Sequence, residues 1–255
     1  MTNKFYLRNN DFSKEVNQDI VYGFFTRQGG VSKSTYSSLN CSFNNGDKRE
    51  NVIENRKIVC EKFNLDISRL MILNQIHSSK IVEIDEAHLG KIFYADGMIT
   101  SKRNILLGIL TADCAPILFC GEQNIAILHV GWQGLIQGII DNLINLFLQK
   151  NEDLNYISCI IGPHLSYKSF RVEKDFVDKI NKTRPLFLNY IKKNKGIFYF
   201  NFLECLFRNI HDNGINKVFS KDIDTYTNSN ILFSYRYYRN KGLECGRQIS
   251  VIGKR

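Results

Sequence analysis

The sequence lacks the features of exported and membrane proteins. Its first stretch, MTNKFYLRNNDFSKEV, is polar and does not contain the apolar core of a signal peptide. No later window contains the roughly 18 uncharged apolar residues that a membrane-spanning helix needs. The seven cysteines are odd in number and irregularly spaced, which is typical of reduced thiols and not of a disulfide framework. We therefore predict a cytoplasmic protein that does not enter a membrane.

The sequence also has few features that indicate a domain boundary. It contains only three prolines in 255 residues, and we find no Gly/Ser-rich linker, charge-rich segment or internal repeat. A hydrophobic content of 44% and a charged content of 23% are typical of a folded globular protein. The composition therefore predicts a single domain spanning residues 1–255.

Basic residues outnumber acidic residues by 34 to 25 and give a net charge of +9. Such a charge raises nucleic acid as a partner. However, most lysines are dispersed among Asn and Ile, the dense basic group is confined to residues 191–196, and we find no zinc-finger or RNA-binding motif. The charge therefore favours small anionic substrates over nucleic acid. For the oligomeric state we expect a monomer.

Short apolar runs alternate with amphipathic segments, which predicts a mixture of strands and helices. Apolar runs bounded by polar or glycine positions are typical of strands buried on both faces. We predict strands at residues 21–26, 70–73, 105–110, 125–128, 157–161, 197–200, 231–236 and 249–252. We predict helices over residues 47–63, with Asp47 as the N-cap, after Gly134, and over residues 203–212.

Three side chains suited to metal binding lie at or just past the ends of three of these apolar runs. They are His77, Cys114 and His129, and active-site residues of sheet enzymes collect at such positions. Imidazole and thiolate suit zinc, and three protein ligands leave the fourth tetrahedral position open for water or substrate. The spacings do not resemble those of a zinc finger, so from the residues alone the alternative is a buried core role.

Seven segments, in order, resemble the motifs of the YfiH family, the bacterial laccase-domain or purine nucleoside phosphorylase proteins. They are FFTRQGGVSKSTYSSLN (24–40), NQIHSSKIV (74–82), ADGMIT (95–100), TADCAPILF (111–119), HVGWQG (129–134), GPHLSYKSFRV (162–172) and TYTNSNILFSYR (225–236), followed by GR (246–247). The resemblance covers nearly the whole chain. It implies an α+β layered sandwich in which mixed β-sheet is flanked by helices.

The resemblance also implies a metal site and an activity. The family's metal is held at the positions of His77, Cys114 and His129, the three side chains selected above. Family members look like zinc enzymes that cleave adenosine, inosine and methylthioadenosine with phosphate and that also deaminate adenosine. The resemblance therefore implies zinc as the cofactor and a purine nucleoside and phosphate as ligands. Older descriptions call these proteins copper polyphenol oxidases, so copper is an alternative metal.

Other polar residues in these motifs are candidates for catalysis and substrate binding. Asp113 precedes the cysteine and is either a proton shuttle for deamination or a hydrogen-bonding turn residue. Trp132 could stack on a purine or pack in the core. The candidates for binding phosphate or ribose, each of which could instead tie a loop, are Arg27, Asn40, Gln75, Arg236 and Arg247.

Three other functions stay open at this point. A copper polyphenol oxidase with a trinuclear cluster needs many imidazoles, and the chain has five histidines. A cysteine or metal hydrolase, for example one that cleaves amides of cell-wall precursors, is the second alternative, and in the cysteine hydrolase Cys114 would attack and His129 or His77 would act as the base. A degenerate homologue would keep the fold and the metal without activity. Departures from the family pattern near the presumed pocket support this last alternative: Gln133, Arg171, Asp224, Tyr237 and Tyr238.

Overall fold

Strands and helices are mixed along the chain in the computed structural model, which describes residues 5–255. The strands are β1 (Tyr6–Leu7), β2 (Ile20–Phe25), β3 (Leu70–Ile72), β4 (Ile81–Glu83), β5 (Gly97–Thr100), β6 (Leu106–Thr111), β7 (Ala115–Cys120), β8 (Ile125–Val130), β9 (Ser158–Ile161), β10 (Arg171–Val172), β11 (Ile191–Asn194), β12 (Ile197–Phe200), β13 (Lys217–Ser220) and β14 (Gln248–Lys254). The α-helices are α1 (Asn10–Glu15), α2 (Arg49–Glu61), α3 (Trp132–Ile136), α4 (Ile139–Gln149), α5 (Lys174–Thr183), α6 (Phe202–Asp212) and α7 (Tyr235–Arg239).

Within the described part of the chain, these strands form three sheets. A five-stranded sheet has the order β1-β2-β14-β6-β3, a six-stranded sheet has the order β13-β9-β7-β8-β5-β4, and a small sheet has the order β10-β12-β11. Both large sheets are mixed, because β3 pairs parallel with β6, β4 with β5, and β13 with β9, whereas the other pairs are antiparallel.

The two large sheets pack face to face over an apolar core. Along β7 the side chains alternate between two environments. Leu118 and Cys120 lie in the core between the sheets, where Leu107 and Ile109 of β6 also lie, whereas Ile117 lies in the core beneath the helices. Because both faces of β7 are buried, its sequence is apolar at nearly every position.

Helices cover the outer faces of both large sheets. Val59 and Cys60 of α2 pack with Phe25 on the five-stranded sheet. Leu143 of α4 and Leu206 of α6 pack in the core on the outer face of the six-stranded sheet. This arrangement confirms the predicted α+β layered sandwich, in which mixed β-sheet is flanked by helices. Among residues 5–255, none of the helices combines the length and apolar character that crossing a bilayer requires.

Most of the predicted elements are confirmed, with small shifts at their ends. The helix over residues 203–212 corresponds to α6. The helix over residues 47–63 corresponds to α2, but Asp47 is not its N-cap: Lys48 occupies the cap position, and the Asp47 carboxylate accepts hydrogen bonds from Ser32 (2.6 Å) and Asn40 (2.9 Å). The helix predicted after Gly134 is divided, since Gly138 has a φ of +84° between α3 and α4.

The predicted strand at residues 231–236 is wrong. This segment leads into α7, and its backbone is bound by side chains. The N–H of Phe233 donates to Gln248 Oε1 (2.6 Å) and its carbonyl accepts from Gln248 Nε2 (3.2 Å), while the N–H of Arg236 donates to the carboxylate of Asp113 (2.6 Å). Because side chains satisfy these backbone groups, the segment does not require a neighbouring strand.

A buried carboxylate fixes the turn that joins β7 to β8. Glu152 is 5% exposed. It accepts hydrogen bonds from the backbone N–H groups of Glu122 (2.9 Å), Gln123 (3.0 Å) and Asn124 (2.6 Å), and from the side-chain amide of Asn124 (2.9 Å). Four donors compensate the cost of burying this charge.

We predict that Glu152→Gln lowers the free energy of unfolding by about 2–3 kcal/mol, because the amide places a donor against N–H groups that need an acceptor. Urea denaturation at neutral pH measures this difference. Glu122→Gln is the matched control, since Glu122 is exposed on the same turn, and it should leave the free energy of unfolding unchanged. An equal loss in both variants would contradict this role of Glu152.

Candidate metal centre

The fold brings His77, Cys114 and His129 together. His77 follows β3, Cys114 lies in the connection between β6 and β7, and His129 lies within β8. Pro116 of β7 pairs with His129, so Cys114 comes close to His129. The Sγ of Cys114 is 3.9 Å from Nε2 of His77, and the two imidazole centroids are 4.9 Å apart. One ligand atom from each of the three residues lies within 4.8 Å of the other two.

A fully buried carboxylate, that of Asp96, holds two of these residues. Its Oδ1 accepts hydrogen bonds from Nδ1 of His129 (2.8 Å) and from the backbone N–H of His77 (3.0 Å). Its Oδ2 accepts from the N–H groups of Ile76 (3.2 Å) and Ser78 (2.6 Å) and from the Ser78 hydroxyl (2.8 Å). Burial opposes ionisation, but His129 and the Ser78 donors lower the pKa of Asp96 below its usual value.

Asp96 fixes the backbone conformation of His77 and the orientation of the His129 ring. His77 has a left-handed backbone with a φ of +56°, which is unfavourable for a residue with a Cβ and is held here by three N–H groups bound to one carboxylate. A carboxylate only accepts hydrogen bonds, so Nδ1 of His129 carries a proton, and Nε2 is the nitrogen that would give up its proton to bind a metal. No role for Asp96 was predicted from the sequence, although its position in the ADGMIT segment is a signal that could have indicated one.

The donor set and its electrostatics fit a zinc ion. Zinc–ligand bonds of about 2.0–2.3 Å place tetrahedral ligand atoms about 3.3–3.8 Å apart, so only small side-chain adjustments are needed here. Burial opposes ionisation of Cys114, but His129 and His77 lower the pKa of its thiol to about 6. Burial likewise opposes protonation of His129, but Cys114 and Asp96 raise its pKa to about 9. Cys114 is therefore a thiolate at neutral pH, which is the form that binds zinc.

Glycine at position 131 keeps the space between two of the ligands open. A Cβ built at Gly131 would lie 3.1 Å from Sγ of Cys114 and 3.1 Å from Cδ2 of His77. Any side chain at this position would therefore press on both ligands. The requirement for close approach explains the glycine that follows β8.

The three residues lie on the wall of a cleft of about 1190 Å³, which we call the central cleft. Its cationic lining residues are Lys168, Arg171, Arg236, Arg239 and Arg247, and its acidic lining residues are Asp113 and Glu173. Aromatic lining residues include Trp132, Tyr199, Tyr226 and Tyr235. The central cleft therefore favours a ligand that combines negative charge with an aromatic ring.

Asp113 lines the central cleft, and both of its carboxylate oxygens are already bound. Oδ1 accepts from the hydroxyl of Thr225 (2.6 Å) and Oδ2 accepts from the N–H of Arg236 (2.6 Å). Burial raises the pKa of Asp113 above its usual value despite these donors. These bonds fit the turn-forming interpretation of Asp113, and its role as a proton shuttle stays a prediction.

Two of the predicted substrate-binding residues, Arg27 and Asn40, do not line the central cleft. Arg27 is 9% exposed, and its guanidinium donates to the carbonyls of Ser37 (2.6 Å) and Ser229 (2.8 Å) and to the Tyr238 hydroxyl (2.8 Å). Asn40 is fully buried and its Oδ1 accepts from the N–H of Arg247 (2.9 Å). Both residues tie loops together in this structure.

The other three predicted residues do line the central cleft. Gln75 exchanges two hydrogen bonds with the backbone of Leu110 (2.7 and 2.8 Å), which connects the His77 loop to β6. Nη1 of Arg236 donates to the carbonyls of Ser169 (2.9 Å) and Arg171 (2.8 Å). Nη1 of Arg247 donates to carbonyls of its own turn, so neither arginine has its whole guanidinium free.

Trp132 packs against neighbouring side chains and also lines the central cleft, and its stacking on a purine stays a prediction. Its ring packs against Phe176 with centroids 5.1 Å apart, and the ammonium of Lys179 lies 5.0 Å from the ring centroid. The same residue lines the central cleft. One part of the side chain therefore packs against α5 while another part faces the ligand space.

Several residues that depart from the family pattern have structural partners. The Asp224 carboxylate accepts from the hydroxyls of Ser169 (2.6 Å) and Thr227 (3.0 Å) and from the N–H groups of Ser166 (3.1 Å) and Tyr226 (3.2 Å). Burial opposes ionisation, but these donors hold the pKa of Asp224 below its usual value. The carboxylate therefore fixes two loops that line the central cleft.

The remaining departures differ in their surroundings. The Tyr238 hydroxyl accepts from Arg27, and the Tyr237 hydroxyl accepts from Lys241 (2.6 Å). Arg171 is exposed in the central cleft and pairs with Glu173 (3.2 Å). Nothing in the structure explains why glutamine occupies position 133.

The chain and its fold match known proteins. Residues 21–255 match the protein family described as multi-copper polyphenol oxidoreductase laccase. The chain is 31% identical over 220 residues to a purine nucleoside phosphorylase of Rickettsia prowazekii (strain Madrid E), which covers 84% of this chain and 87% of that protein. It is 30% identical over 232 residues to a purine nucleoside phosphorylase of Haemophilus influenzae, covering 89% of this chain and 91% of that protein.

A solved structure extends the match to three dimensions. The crystal structure of the hypothetical protein YfiH from Bacillus licheniformis matches with a TM-score of 0.86 at 25% identity, over 92% of this chain and 93% of that chain. The motif resemblance is therefore confirmed, and the chain belongs to the YfiH family, which is described as the multi-copper polyphenol oxidoreductase laccase family.

Proposed function

We propose that this chain is a zinc-dependent purine nucleoside phosphorylase that acts on adenosine, inosine and methylthioadenosine. The observation that carries the proposal is the set of His77, Cys114 and His129 ligand atoms on the wall of a cationic cleft that also presents aromatic rings. Relatives that are named purine nucleoside phosphorylases support it. A single domain, a cytoplasmic location and a monomer remain part of this proposal, as the sequence predicts.

The central cleft offers what the reaction requires of the protein. In phosphorolysis a phosphate oxygen forms a bond to C1′ of the ribose while the bond from C1′ to the purine nitrogen breaks. Phosphate needs cationic donors, and the sugar passes through a cation-like state that a nearby phosphate stabilises. Tyr199, Tyr226, Tyr235 and Trp132 offer surfaces for the purine ring.

His77, Cys114 and His129 would hold the zinc ion, with Asp96 fixing the orientation of His129. Zinc held by these residues would supply a Lewis acid. We include adenosine deamination as a second activity of the same site, because three protein ligands leave a coordination position open. Copper is the alternative metal, since imidazole and thiolate also bind it.

A trinuclear copper oxidase is not favoured by the distribution of histidines. Among residues 5–255, the group formed by His77, Cys114 and His129 is the one set of at least three donors placed to hold a metal. His164 is fully buried with Nδ1 bound to a carbonyl (2.9 Å), and His88 pairs with Asp85 (2.8 Å). A trinuclear cluster needs many more converging imidazoles.

A cysteine hydrolase is the second candidate, because the lowered pKa of Cys114 and the raised pKa of His129 favour a thiolate–imidazolium pair. Such a pair would attack a carbonyl carbon without a metal. A thiolate that is bound to zinc is a poor nucleophile, so metal content separates this candidate from the phosphorylase.

We predict that the purified protein contains about one zinc ion per chain and that Cys114→Ala abolishes this content, since two imidazoles alone bind zinc weakly. Wild type incubated with adenosine and phosphate should release adenine, and the variant should not. Elemental analysis and chromatography of the products measure the two effects. Cys120→Ala is the matched control, because it removes a thiol from the far end of β7.

The two readouts separate the candidates. Stoichiometric zinc without release of adenine or formation of inosine would retain the metal site and overturn the nucleoside activity. A metal-free wild type whose Cys114 reacts rapidly with iodoacetamide would overturn the zinc site and favour the cysteine hydrolase.

We predict that Asp96→Asn weakens zinc binding by about 10- to 100-fold. An amide can orient only one acceptor, so its NH2 group must face either Nδ1 of His129 or the N–H groups of the His77 loop. In the first case the proton moves to Nε2 and blocks that ligand atom, and in the second case the loop loses its anchor. Competition with a chromogenic chelator measures the affinity.

Ser78→Ala is the control for this prediction. It removes one hydroxyl donor from Asp96 and leaves the contact with His129 in place. Its zinc affinity should stay close to that of wild type. Equal zinc affinities of Asp96→Asn and wild type would contradict the role assigned to Asp96.

A further inference from the structure

Two arginines approach one tyrosine ring at the edge of the central cleft. The guanidinium carbon of Arg239 lies 5.9 Å from the ring centroid of Tyr235, and that of Arg247 lies 5.6 Å from the same centroid. All three residues line the central cleft, together with the neutral hydrogen-bonding side chains of Asn44 and Asn240. Two like charges near one exposed ring repel each other unless an anion lies between them.

The positive charge of this pair is not neutralised by an ion pair with the described part of the chain. Among residues 5–255, neither Arg239 nor Arg247 lies within ion-pairing distance of a carboxylate. Other cations of the central cleft differ in this respect. Arg171 pairs with Glu173 (3.2 Å), and Arg236 is held by two carbonyls through Nη1.

One member of the pair is held in place and the other is free to adjust. The backbone N–H of Arg247 donates to Asn40 Oδ1 (2.9 Å), and its Nη1 donates to the carbonyls of Cys245 (2.9 Å) and Gly246 (3.0 Å). Nε and Nη2 of Arg247 are left to bind a ligand. Arg239 is exposed, and within the described residues no hydrogen bond of its guanidinium is found. A fixed donor beside a mobile one is suited to closing around an anion.

We propose that Arg239 and Arg247, which both lie beside the ring of Tyr235, form the phosphate-binding subsite of the central cleft. The ligand chemistry is a phosphate dianion, which two guanidinium groups bind through paired charge-assisted hydrogen bonds. We assign it to free orthophosphate, the co-substrate of the proposed phosphorolysis, so this inference rests on the proposed function. Asn40 then acts indirectly, because it positions Arg247 without touching the ligand.

Calorimetric titration of the zinc-loaded protein with orthophosphate tests the subsite without turnover. Arg239→Gln should raise the dissociation constant by about tenfold, and the double variant with Arg247→Gln by about 100-fold, since each lost charge-assisted contact costs about 1.4 kcal/mol or more. Arg208→Gln is the matched control. Arg208 is an exposed arginine of α6 outside the central cleft, and its loss should leave phosphate binding unchanged.

Kinetics and a second ligand complete the test. In assays with adenosine, Arg239→Gln should raise the KM for phosphate while the KM for adenosine stays unchanged. Because no residue from 5 to 255 is hydrogen-bonded to the guanidinium of Arg239, the substitution breaks no such contact there, and a folding defect would not explain this result. Arg247→Lys, which keeps the charge, should recover part of the affinity that Arg247→Gln loses.

Three outcomes would overturn the inference. The first is a wild type that does not bind orthophosphate, and the second is equal binding by wild type and the double variant. The third is weakened binding of adenosine monophosphate with unchanged binding of orthophosphate, which would assign the arginines to the phosphate of a nucleotide. If phosphate binding is lost as expected but wild type releases no adenine, the subsite stands and the proposed phosphorolysis fails.

Discussion

The carboxylate of Asp96 is the contact on which the arrangement of the candidate metal centre depends. It joins a loop that follows the five-stranded sheet to a strand of the six-stranded sheet, because it binds the backbone around His77 and the ring of His129 at the same time. Without an ionised acceptor here, the buried Nδ1–H of His129 would lose its partner, and an unsatisfied buried group costs about 1–3 kcal/mol. The left-handed backbone of His77 would also lose the contacts that compensate its strain.

The third ligand is supplied by a crossing between the two large sheets. The chain leaves the five-stranded sheet at Thr111 and enters the six-stranded sheet at Ala115, so Cys114 lies where the two sheets meet at their ends. The crossing is anchored from the C-terminal part of the chain, since Asp113 binds Thr225 and the backbone of Arg236. Cys114 is therefore positioned by tertiary contacts that join distant parts of the sequence.

The contacts that form each feature explain whether that feature could be predicted from the sequence. Strands buried on both faces leave continuous apolar runs, so most strands and the layered fold were predictable. The three candidate ligands, which the fold brings together, could be selected because few residue types bind zinc. The role of Asp96 was harder to predict, because its position in the ADGMIT segment does not show that three backbone N–H groups of the His77 loop donate to it. Arg27 and Asn40 were predicted to bind the substrate. The sequence does not separate this role from that of tying a loop, because the same residue types serve as hydrogen-bond donors in both.

The segment at residues 231–236 was misread for a related reason. Its apolar residues are typical of a strand, but side chains distant in sequence bind its backbone groups. The departures from the family pattern follow the same principle. Asp224 accepts from four donors and Tyr238 accepts from Arg27, so both replacements are hydrogen-bonded to the residues around them. The hydrogen bonds of these replacements give a structural reason for their presence. The replacements therefore do not by themselves argue for a lost activity.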